Sequence, residues 1–108
     1  EAAVRAVGSP ELKRRLDAHE PVVVLDVRDT WETALARIDN AVHIPMEEIE
    51  LRTEELDPKA ETVVYCHHGV RSAAVAEFLA RLGFGKVWNL EGGIDQWARK
   101  VDARMKRY

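Results

Sequence analysis

The sequence contains a single cysteine, Cys66, and the residues around it could support nucleophilic chemistry. A run of β-forming residues, TVVYC at 62–66, is followed by HHGVR and then by a helix that we expect to begin near Ser72. The backbone N–H groups at a helix N-terminus are unpaired and carry partial positive charge, so a turn around Cys66 would present donors to its thiolate. We therefore predict that Cys66 has a lowered pKa and acts as a catalytic nucleophile.

Other residues of the same loop could assist an anion. Gly69 permits a positive φ or a close backbone approach to a bound group. Arg71 would place a cation at a helix N-terminus, where the helix dipole disfavours it, so we assign it to the loop or to a ligand and expect it to lower the pKa of Cys66. His67 and His68 either surround the backbone amides or tune local charge and acceptor choice. No third ligand is evident beside them, so we expect no metal.

Short apolar runs rich in β-branched residues recur along the chain, and they predict the strands that must position Cys66. The runs lie at 22–27, 41–44, 62–66 and 86–90, with a weaker candidate for an edge strand at 2–7. They do not alternate between apolar and polar residues, which is typical of strands buried on both faces of a parallel sheet.

Helix signals separate these runs. Ser9 and Pro10 fit an N-cap and a first-turn proline, and Asp29 with Glu32 fits a capping box. The predicted helices lie at 9–19, after 29, at 46–56, at 72–82 and after 93. Their expected apolar faces include Met46, Ile49, Thr53 and Leu56, then Val75, Leu79 and Leu82, then Ile94, Trp97 and Val101. Strands alternating with helices predict an α/β fold, an open sheet of about five mainly parallel strands with helices on both faces.

Polar residues occur where the predicted strands end. Asp26 and Arg28 follow one strand, Cys66 another and Glu91 a third. Ligands bind beyond the carboxyl ends of the strands in open α/β sheets, so this is the expected functional edge. The candidate residues for the rim of a pocket there are Asp26, Arg28, Trp31 and Trp97. A structural ion pair for the two charged residues and core positions for the tryptophans are the more common roles of such residues.

Composition and charge exclude several classes of protein. The 108 residues fit a single domain. A composition with 46% apolar and 32% charged residues is typical of a globular chain. A net charge of −3 gives no electrostatic reason to bind nucleic acid, and no apolar run is long enough to span a membrane. The first residues do not resemble a secretory signal, so we expect a cytoplasmic protein. Residues 102–108 indicate a basic, solvated tail.

The spacing within the loop is informative, because four residues separate Cys66 from Arg71. Cysteine-dependent phosphatases and the related arsenate reductases use a similar strand, loop and helix in which the loop is one residue longer and encircles a tetrahedral oxyanion. The shorter loop of this chain should fit a single sulfur atom bound to the cysteine better than a phosphate group.

Four segments in order resemble the signatures of the rhodaneses, a family of sulfurtransferases. CHHGVRS at 66–72 is similar to their active-site loop, and VVVLDVRDTWE, RIDNAVHIP and VWNLEGGIDQWA are similar to three flanking signatures. The resemblance extends from about residue 9 to 101 of a single domain at 1–108. The second signature departs from the family pattern, because Ala36-Arg37 and Asp39-Asn40 stand where Gly-His and Pro-Gly are usual.

The resemblance implies a mechanism for this chain. Cys66 would attack the outer sulfur of a donor such as thiosulfate, giving a cysteine persulfide and sulfite, and a thiophilic acceptor such as cyanide or a thiol would take the sulfur. Arg71 would brace the loop and present positive charge to the donor. No metal or organic cofactor would be needed, because the cysteine itself carries the sulfur. The backbone amides that would stabilise the sulfur anions belong to His67, His68, Gly69, Val70, Arg71 and Ser72.

Three alternatives remain open from the sequence. The domain could relay persulfide sulfur to a partner protein in sulfur-containing cofactor synthesis or tRNA thiolation, since WARKVDARMKRY is also similar to the ends of rhodanese domains attached to enzymes that activate ubiquitin-like proteins. It could be a non-enzymatic interaction module of the same fold, although such a module would need neither Cys66 nor Arg71. It could be a phosphatase or arsenate reductase, which the short loop disfavours.

Overall fold

A computed structural model of the chain describes residues 4–108, which form one parallel five-stranded sheet with helices on both faces. The strands are β1 Arg5–Val7, β2 Val22–Asp26, β3 Val42–His43, β4 Glu61–Tyr65 and β5 Val87–Leu90, in the order β1-β5-β4-β2-β3. The helices are α1 Ser9–Asp17, α2 Thr30–Leu35, α3 Ile49–Arg52, α4 Val70–Arg81 and α5 Gly93–Lys100. The predicted α/β fold is confirmed. The weak first run is an edge strand, and its predicted positions 2 and 3 lie outside the described residues.

β4 is the central strand, and its environment explains why its sequence does not alternate. It pairs with β2 on one side and β5 on the other, and Val63 and Val64 are both fully buried. Val63 and Tyr65 belong to the core cluster that includes residues of α1 and α5, whereas Val64 and Cys66 belong to the cluster on the side of α3 and α4. A strand covered on both faces needs apolar side chains at successive positions. Cys66 therefore follows the strand at the middle of the sheet.

The N-cap of one helix and the first residue of another differ from those predicted. α1 begins at Ser9 with Gly8 as its N-cap, so the Ser9 hydroxyl does not cap the helix. α4 begins at Val70 rather than near Ser72, because Gly69 adopts a φ of +112° and turns the chain into the helix at that point. α4 spans 12 residues. Among residues 4–108, none of the helices has the length and apolar character needed to cross a lipid bilayer.

The segment predicted as one helix at 46–56 is only partly α-helical. Ile49–Arg52 forms α3, and the residues on either side form tight 3₁₀ turns. Ile49 and Leu56 are buried as expected, but Met46, which was expected on the same face, is exposed. The tighter winding of the first turn changes the direction of its side chains, so Met46 does not join the core.

α4 ends in a glycine cap, as Gly83 followed by Phe84 in the sequence predicts. Gly83 has a φ of +102°, and the amide of Phe84 donates to the carbonyl of Leu79 at 3.1 Å. Phe84 is buried, whereas Leu82, expected on the buried face of the helix, is 51% exposed. Leu82 lies where the chain leaves the helix, and Phe84 occupies the core beside it instead.

The segment 102–108, predicted to be a solvated tail, packs on the domain. Met105 and Tyr108 are half-buried against the core cluster that contains Trp97, while Arg104, Lys106 and Arg107 are exposed. The prediction is therefore wrong for the apolar members of the segment, because they cover part of the core.

Candidate active site

Cys66 lies between the end of β4 and the start of α4, where the chain turns sharply. Gly69 is the N-cap of α4 and has a φ of +112°, a conformation that glycine adopts without strain. The first amides of α4 have no carbonyl partner within the helix and are therefore available to the loop. The strand, the glycine turn and the helix together bring these donors to the Cys66 sulfur.

The Cys66 sulfur is buried and is surrounded by hydrogen-bond donors. The amides of Gly69 and Ser72 donate to Sγ at 3.1 and 3.3 Å, and the Ser72 hydroxyl lies 3.3 Å from it. Burial raises the pKa of the Cys66 thiol, but hydrogen bonds from Ser72, Gly69 and His68 outweigh burial and hold the pKa below its ordinary value. The loop thus favours a thiolate at Cys66.

Asn89, on β5, braces this loop from the neighbouring strand. Its side-chain amide donates to the Gly69 carbonyl at 3.1 Å, and its Oδ1 accepts from the Ser72 hydroxyl at 2.5 Å. The hydroxyl has one proton, so at any moment it can donate to Asn89 or to a Cys66 thiolate. Asn89 therefore supports the loop backbone and competes with the sulfur for the Ser72 proton.

α5 holds the loop from a second side. The amides of Ile94 and Asp95 donate to the carbonyls of Cys66 and His67 at 2.9 and 3.0 Å. Gly93 makes this approach possible, because its φ is +58° and a Cβ there would lie 2.5 Å from each of those two carbonyl oxygens. The double glycine of the sequence thus allows the N-terminus of α5 to bind the backbone of the loop.

Arg71 forms a bidentate ion pair with Glu32 of α2. Its Nη1 and Nη2 donate to Oε1 and Oε2 at 2.6 and 2.8 Å, and the amide of Asp29 donates to Oε1 at 3.1 Å. The hydrogen bonds from Arg71 lower the pKa of Glu32 to about 2, against the effect of burial. Glu32 in turn raises the pKa of Arg71. The pair fixes the arginine of the loop against α2.

Arg71 was expected to lower the pKa of Cys66, but other groups have a larger effect. The larger causes of the lowered pKa of Cys66 are the donors of Ser72, Gly69 and His68, rather than the guanidinium. Glu32 compensates much of the charge of Arg71. The Arg71 side chain is nevertheless 34% exposed, so it can still meet a ligand.

A buried cysteine held by backbone amides beside a fixed arginine is suited to nucleophilic attack on a small anionic molecule. The family model described as a rhodanese-like domain matches residues 9–100. The chain belongs to the rhodanese-like domain family. The match includes the whole loop from Cys66 to Ser72 and the two side chains that brace it, Glu32 and Asn89.

The proteins most similar to this rhodanese-like domain include sulfurtransferases. A sulfurtransferase of Allochromatium vinosum is 38% identical over 89% of this chain and 90% of its own length. The thiosulfate sulfurtransferase GlpE of Coxiella burnetii is 37% identical over 70% of this chain and 71% of its own. The crystal structure of a rhodanese-like domain protein from Staphylococcus aureus superposes with a TM-score of 0.84 at 33% identity, covering 97% of this chain and 99% of the other. The domain therefore belongs among sulfurtransferases.

Two of the candidate rim residues of this rhodanese-like domain form a buried ion pair. Asp26 and Arg28 are 1% and 0% exposed, and Nε and Nη2 of the arginine donate to the two carboxylate oxygens at 2.9 and 2.7 Å. Arg28 also donates to the Ala36 carbonyl at 2.7 Å, and the Tyr65 hydroxyl donates to Asp26 at 2.9 Å. Asp26 and Arg28 therefore form the structural ion pair that was the more common of their two expected roles, and they do not line a pocket rim, because partners inside the domain enclose both charges.

The two candidate tryptophans lie in different places. Trp97 is 5% exposed within the core, which is the more common role expected of it, and it does not line the rim of a pocket. Trp31 is 60% exposed and meets the ring of Tyr108 edge-on with centroids 5.9 Å apart. Tyr108 in turn stacks on His67 of the loop at 3.9 Å. Trp31 is thus connected to the loop through Tyr108.

The two histidines of the loop have a carboxylate nearby that the sequence did not reveal. Their rings are tilted by 31° with centroids 3.9 Å apart, and ligand atoms of His67, His68 and Asp95 all lie within 4.8 Å of one another. The expectation of no third ligand beside them is therefore wrong. Asp95 already pairs with Arg99 and Arg107 at 3.6 and 3.3 Å, which compensates the charge that a cation would need.

Three residues around the site were not assigned to it from the sequence. Glu32 carried a signal only as the acid of a capping box, and Tyr108 carried none in its basic segment. Asn89 had a signal that could have found it, since it is a polar residue inside the apolar run VWNL. All three come from outside the loop: Glu32 from α2, Asn89 from β5 and Tyr108 from the segment 102–108.

Proposed function

We propose that this rhodanese-like domain is a thiosulfate sulfurtransferase that carries sulfur as a persulfide on Cys66. The observation that carries the proposal is the Cys66 sulfur, which accepts amide hydrogen bonds from Gly69 and Ser72 at the N-terminus of α4. Such donors stabilise a sulfur anion, whether thiolate or persulfide. Support for thiosulfate as the donor comes from the GlpE relatives, whose name includes that substrate.

In the first step, the Cys66 thiolate attacks the outer sulfur of thiosulfate. A new S–S bond forms at Cys66 while the bond between the two sulfur atoms of thiosulfate breaks, and sulfite leaves with the electron pair. In the second step, cyanide or a thiolate attacks the outer sulfur of the persulfide, and Cys66 leaves as a thiolate. Each step passes a neutral sulfur atom between nucleophiles, so the scheme uses no oxidant, metal or organic cofactor.

The loop offers separate groups for the two ends of the donor. The first-turn amides of Val70 and Arg71 have no carbonyl acceptor within α4, and they would bind the outer sulfur of the persulfide. The guanidinium of Arg71, held by Glu32, would meet the sulfonate oxygens of thiosulfate. The spacing of four residues between Cys66 and Arg71 suits one bound sulfur rather than a phosphate.

Intact-mass spectrometry tests the proposal. Incubation with thiosulfate should add the mass of one sulfur atom, and cyanide should remove it as thiocyanate. Cys66→Ser should show no adduct. A wild-type protein without the adduct, or an adduct that persists in Cys66→Ser, would reject the proposal. Hydrolysis of an aryl phosphate that depends on Cys66 would favour the phosphatase alternative instead.

A persulfide relay to a partner protein is the second candidate. Val70 in the loop and Trp31 close to it are 80% and 60% exposed, and a protein partner could cover both apolar side chains. A small donor such as thiosulfate needs no such surface. The exposed side chains beside the nucleophile are the observation that favours transfer between proteins.

Sulfur transfer from a cysteine desulfurase carrying labelled persulfide separates the two candidates. For a relay, the label should reach Cys66 faster than sulfur from thiosulfate. Val70→Ser, which changes only the side chain and keeps the backbone amide that would bind the persulfide, should slow the protein reaction and leave the thiosulfate reaction unchanged. Leu82→Ser is the matched control, because Leu82 is also apolar and 51% exposed but lies at the opposite end of α4. Equal transfer by Val70→Ser and wild type would count against the relay.

A further inference from the structure

Tyr108 connects the segment 102–108 to the loop of Cys66. Its ring stacks on His67 with centroids 3.9 Å apart and planes 9° apart, and it meets Trp31 edge-on at 5.9 Å. The side chain is half-buried in this position. A phenol therefore lies beside the loop, supplied by a segment whose sequence indicates only a basic tail.

The Tyr108 hydroxyl bridges two buried charged groups. Its oxygen lies 2.8 Å from Arg28 Nη1 and 2.8 Å from Glu32 Oε2. A guanidinium only donates and a carboxylate only accepts, so the single phenolic proton must point to Glu32. Arg28 is itself held by Asp26 at 2.7 Å. The Tyr108 hydroxyl therefore has one orientation, because Arg28, fixed by its ion pair with Asp26, donates to the phenolic oxygen.

Glu32 receives this hydrogen bond on one of the two oxygens that hold Arg71. Oε2 accepts from Tyr108 and from Arg71 Nη2, while Oε1 accepts from Arg71 Nη1 and from the Asp29 amide. Each oxygen has two donors, and this restrains the broad terminal torsion of a glutamate side chain. Without the phenol, Oε2 would keep only Arg71, and the ion pair could tilt.

We propose that Tyr108 is a positioning residue for the anionic sulfur donor. Its hydroxyl orients Glu32, Glu32 orients the fork of Arg71, and Arg71 then presents one geometry to the donor. The inference rests on the proposed function for the identity of that donor, thiosulfate. The hydrogen bonds that link Tyr108, Glu32 and Arg71 do not involve the Cys66 sulfur, whose amide donors are Gly69 and Ser72.

Tyr108→Phe separates the two parts of the side chain, since it keeps the ring on His67 and removes only the hydroxyl. In a Cys66→Ser background, which cannot turn over, calorimetric titration should show thiosulfate binding weakened about threefold to tenfold. With Cys66 present, KM for thiosulfate should rise by a similar factor, while kcat and the rate of Cys66 alkylation stay within about twofold. If the hydroxyl had a purely structural role, Tyr108→Phe would reduce the fraction of protein that is active. The apparent kcat would then fall, and KM would stay unchanged.

Two further variants test the inference: one controls for the packing of the segment, and the other weakens the same link at a different residue. Met105→Ala removes apolar packing of the same segment and should bind thiosulfate like the wild type. Glu32→Gln weakens the same link from its other end and should reproduce the loss of thiosulfate affinity, so the inference does not depend on one variant.

A double-mutant cycle shows whether the effect passes through the arginine. In an Arg71→Lys background, which lacks the fork, Tyr108→Phe should change thiosulfate affinity by less than about twofold. Equal losses in the wild-type and Arg71→Lys backgrounds, or unchanged binding by Tyr108→Phe, would overturn the inference. If the wild type forms no persulfide but its thiosulfate binding depends on Tyr108, the proposed function fails and the positioning role stands.

Discussion

Glu32 and Arg71, 39 positions apart in the sequence, form a bidentate ion pair that joins the first turns of α2 and α4. The glutamate is 2% exposed and the arginine side chain 34%, so solvent screens this pair less than it screens a fully exposed one. An acid is favourable in the first turn of α2, whereas a cation is unfavourable in the first turn of α4. Glu32 offsets that cost and allows Arg71 to remain beside the nucleophile.

Glu32→Gln should destabilise the domain at neutral pH by roughly 1–3 kcal/mol, because it removes the charge that Arg71 requires and keeps the shape. The pKa of Glu32 is lowered from 4.5 to about 2 in the folded protein. A lowered pKa contributes stability that is complete above the ordinary value and is lost as the pH falls through the folded value. The wild-type advantage in unfolding free energy, measured with urea, should be constant above about pH 5 and shrink from there toward about pH 2. An advantage that stays constant over that range would contradict this assignment.

Ser72→Ala should raise the pKa of Cys66, because the hydroxyl 3.3 Å from Sγ stabilises the thiolate. The rate of alkylation by iodoacetamide at increasing pH follows the thiolate fraction. The variant curve should move to higher pH, with slower alkylation at neutral pH. Ser9→Ala is the matched control, since the Ser9 hydroxyl in α1 is also buried but has no hydrogen-bond partner among residues 4–108. Equal shifts in both variants would reject a specific role for Ser72.

Asn89→Ala should shift the pKa of Cys66 in the opposite direction, downward. It removes the acceptor that lies 2.5 Å from the Ser72 hydroxyl, so the hydroxyl proton becomes fully available to the thiolate. It also removes the donor to the Gly69 carbonyl, at a cost to folding of about 1 kcal/mol. The same alkylation assay measures the shift. Movement of the curve to higher pH would show that Asn89 acts mainly by holding the loop backbone.

Gly93→Ala should impair persulfide formation far more than Gly83→Ala. Both glycines have a positive φ, +58° and +102°, so each variant costs roughly 1–2 kcal/mol of backbone strain. A Cβ at Gly93 would lie 2.5 Å from the carbonyl oxygens of Cys66 and His67, whereas at Gly83 it would meet no described atom within 4 Å. We expect the rate of persulfide formation, measured by rapid-quench mass spectrometry, to fall at least about tenfold in Gly93→Ala only. Similar rates in the two folded variants would exclude a role for this close approach.

Local patterns were enough to predict most of the fold. The β-branched runs at 22–27 and 62–66 predicted buried strands, because a strand covered on both faces is apolar at successive positions. The glycine cap at Gly83 followed from a similarly local signal. The 3₁₀ turns beside α3 and the exposure of Met46 could not be predicted, since a change of winding within one apolar segment leaves no clear mark in the sequence.

The candidate site was predicted less completely than the fold. Arg28 has the sequence context of a charged residue at the edge of a sheet, yet it is fully buried with Asp26, the Ala36 carbonyl and Tyr108 around it. A charged side chain is expected at the surface unless partners enclose it, and those partners come from separate parts of the chain. The sequence therefore predicted correctly which edge of the sheet carries the site, but it did not reveal that Arg28 is buried there.

Neighbouring residues carry the strand, glycine-turn and helix signals that place Cys66 after a buried strand and before a helix, so this position can be predicted from the sequence. The distant side chains that complete the site follow only from how the elements pack: Glu32 comes from α2, Asn89 from β5 and Tyr108 from the final segment. The order of the parallel strands brings β2 and β5 to either side of β4, and with them these groups reach the loop. A polar residue has the same local pattern whether it faces water or a nucleophile, so only the packing of the elements distinguishes the two.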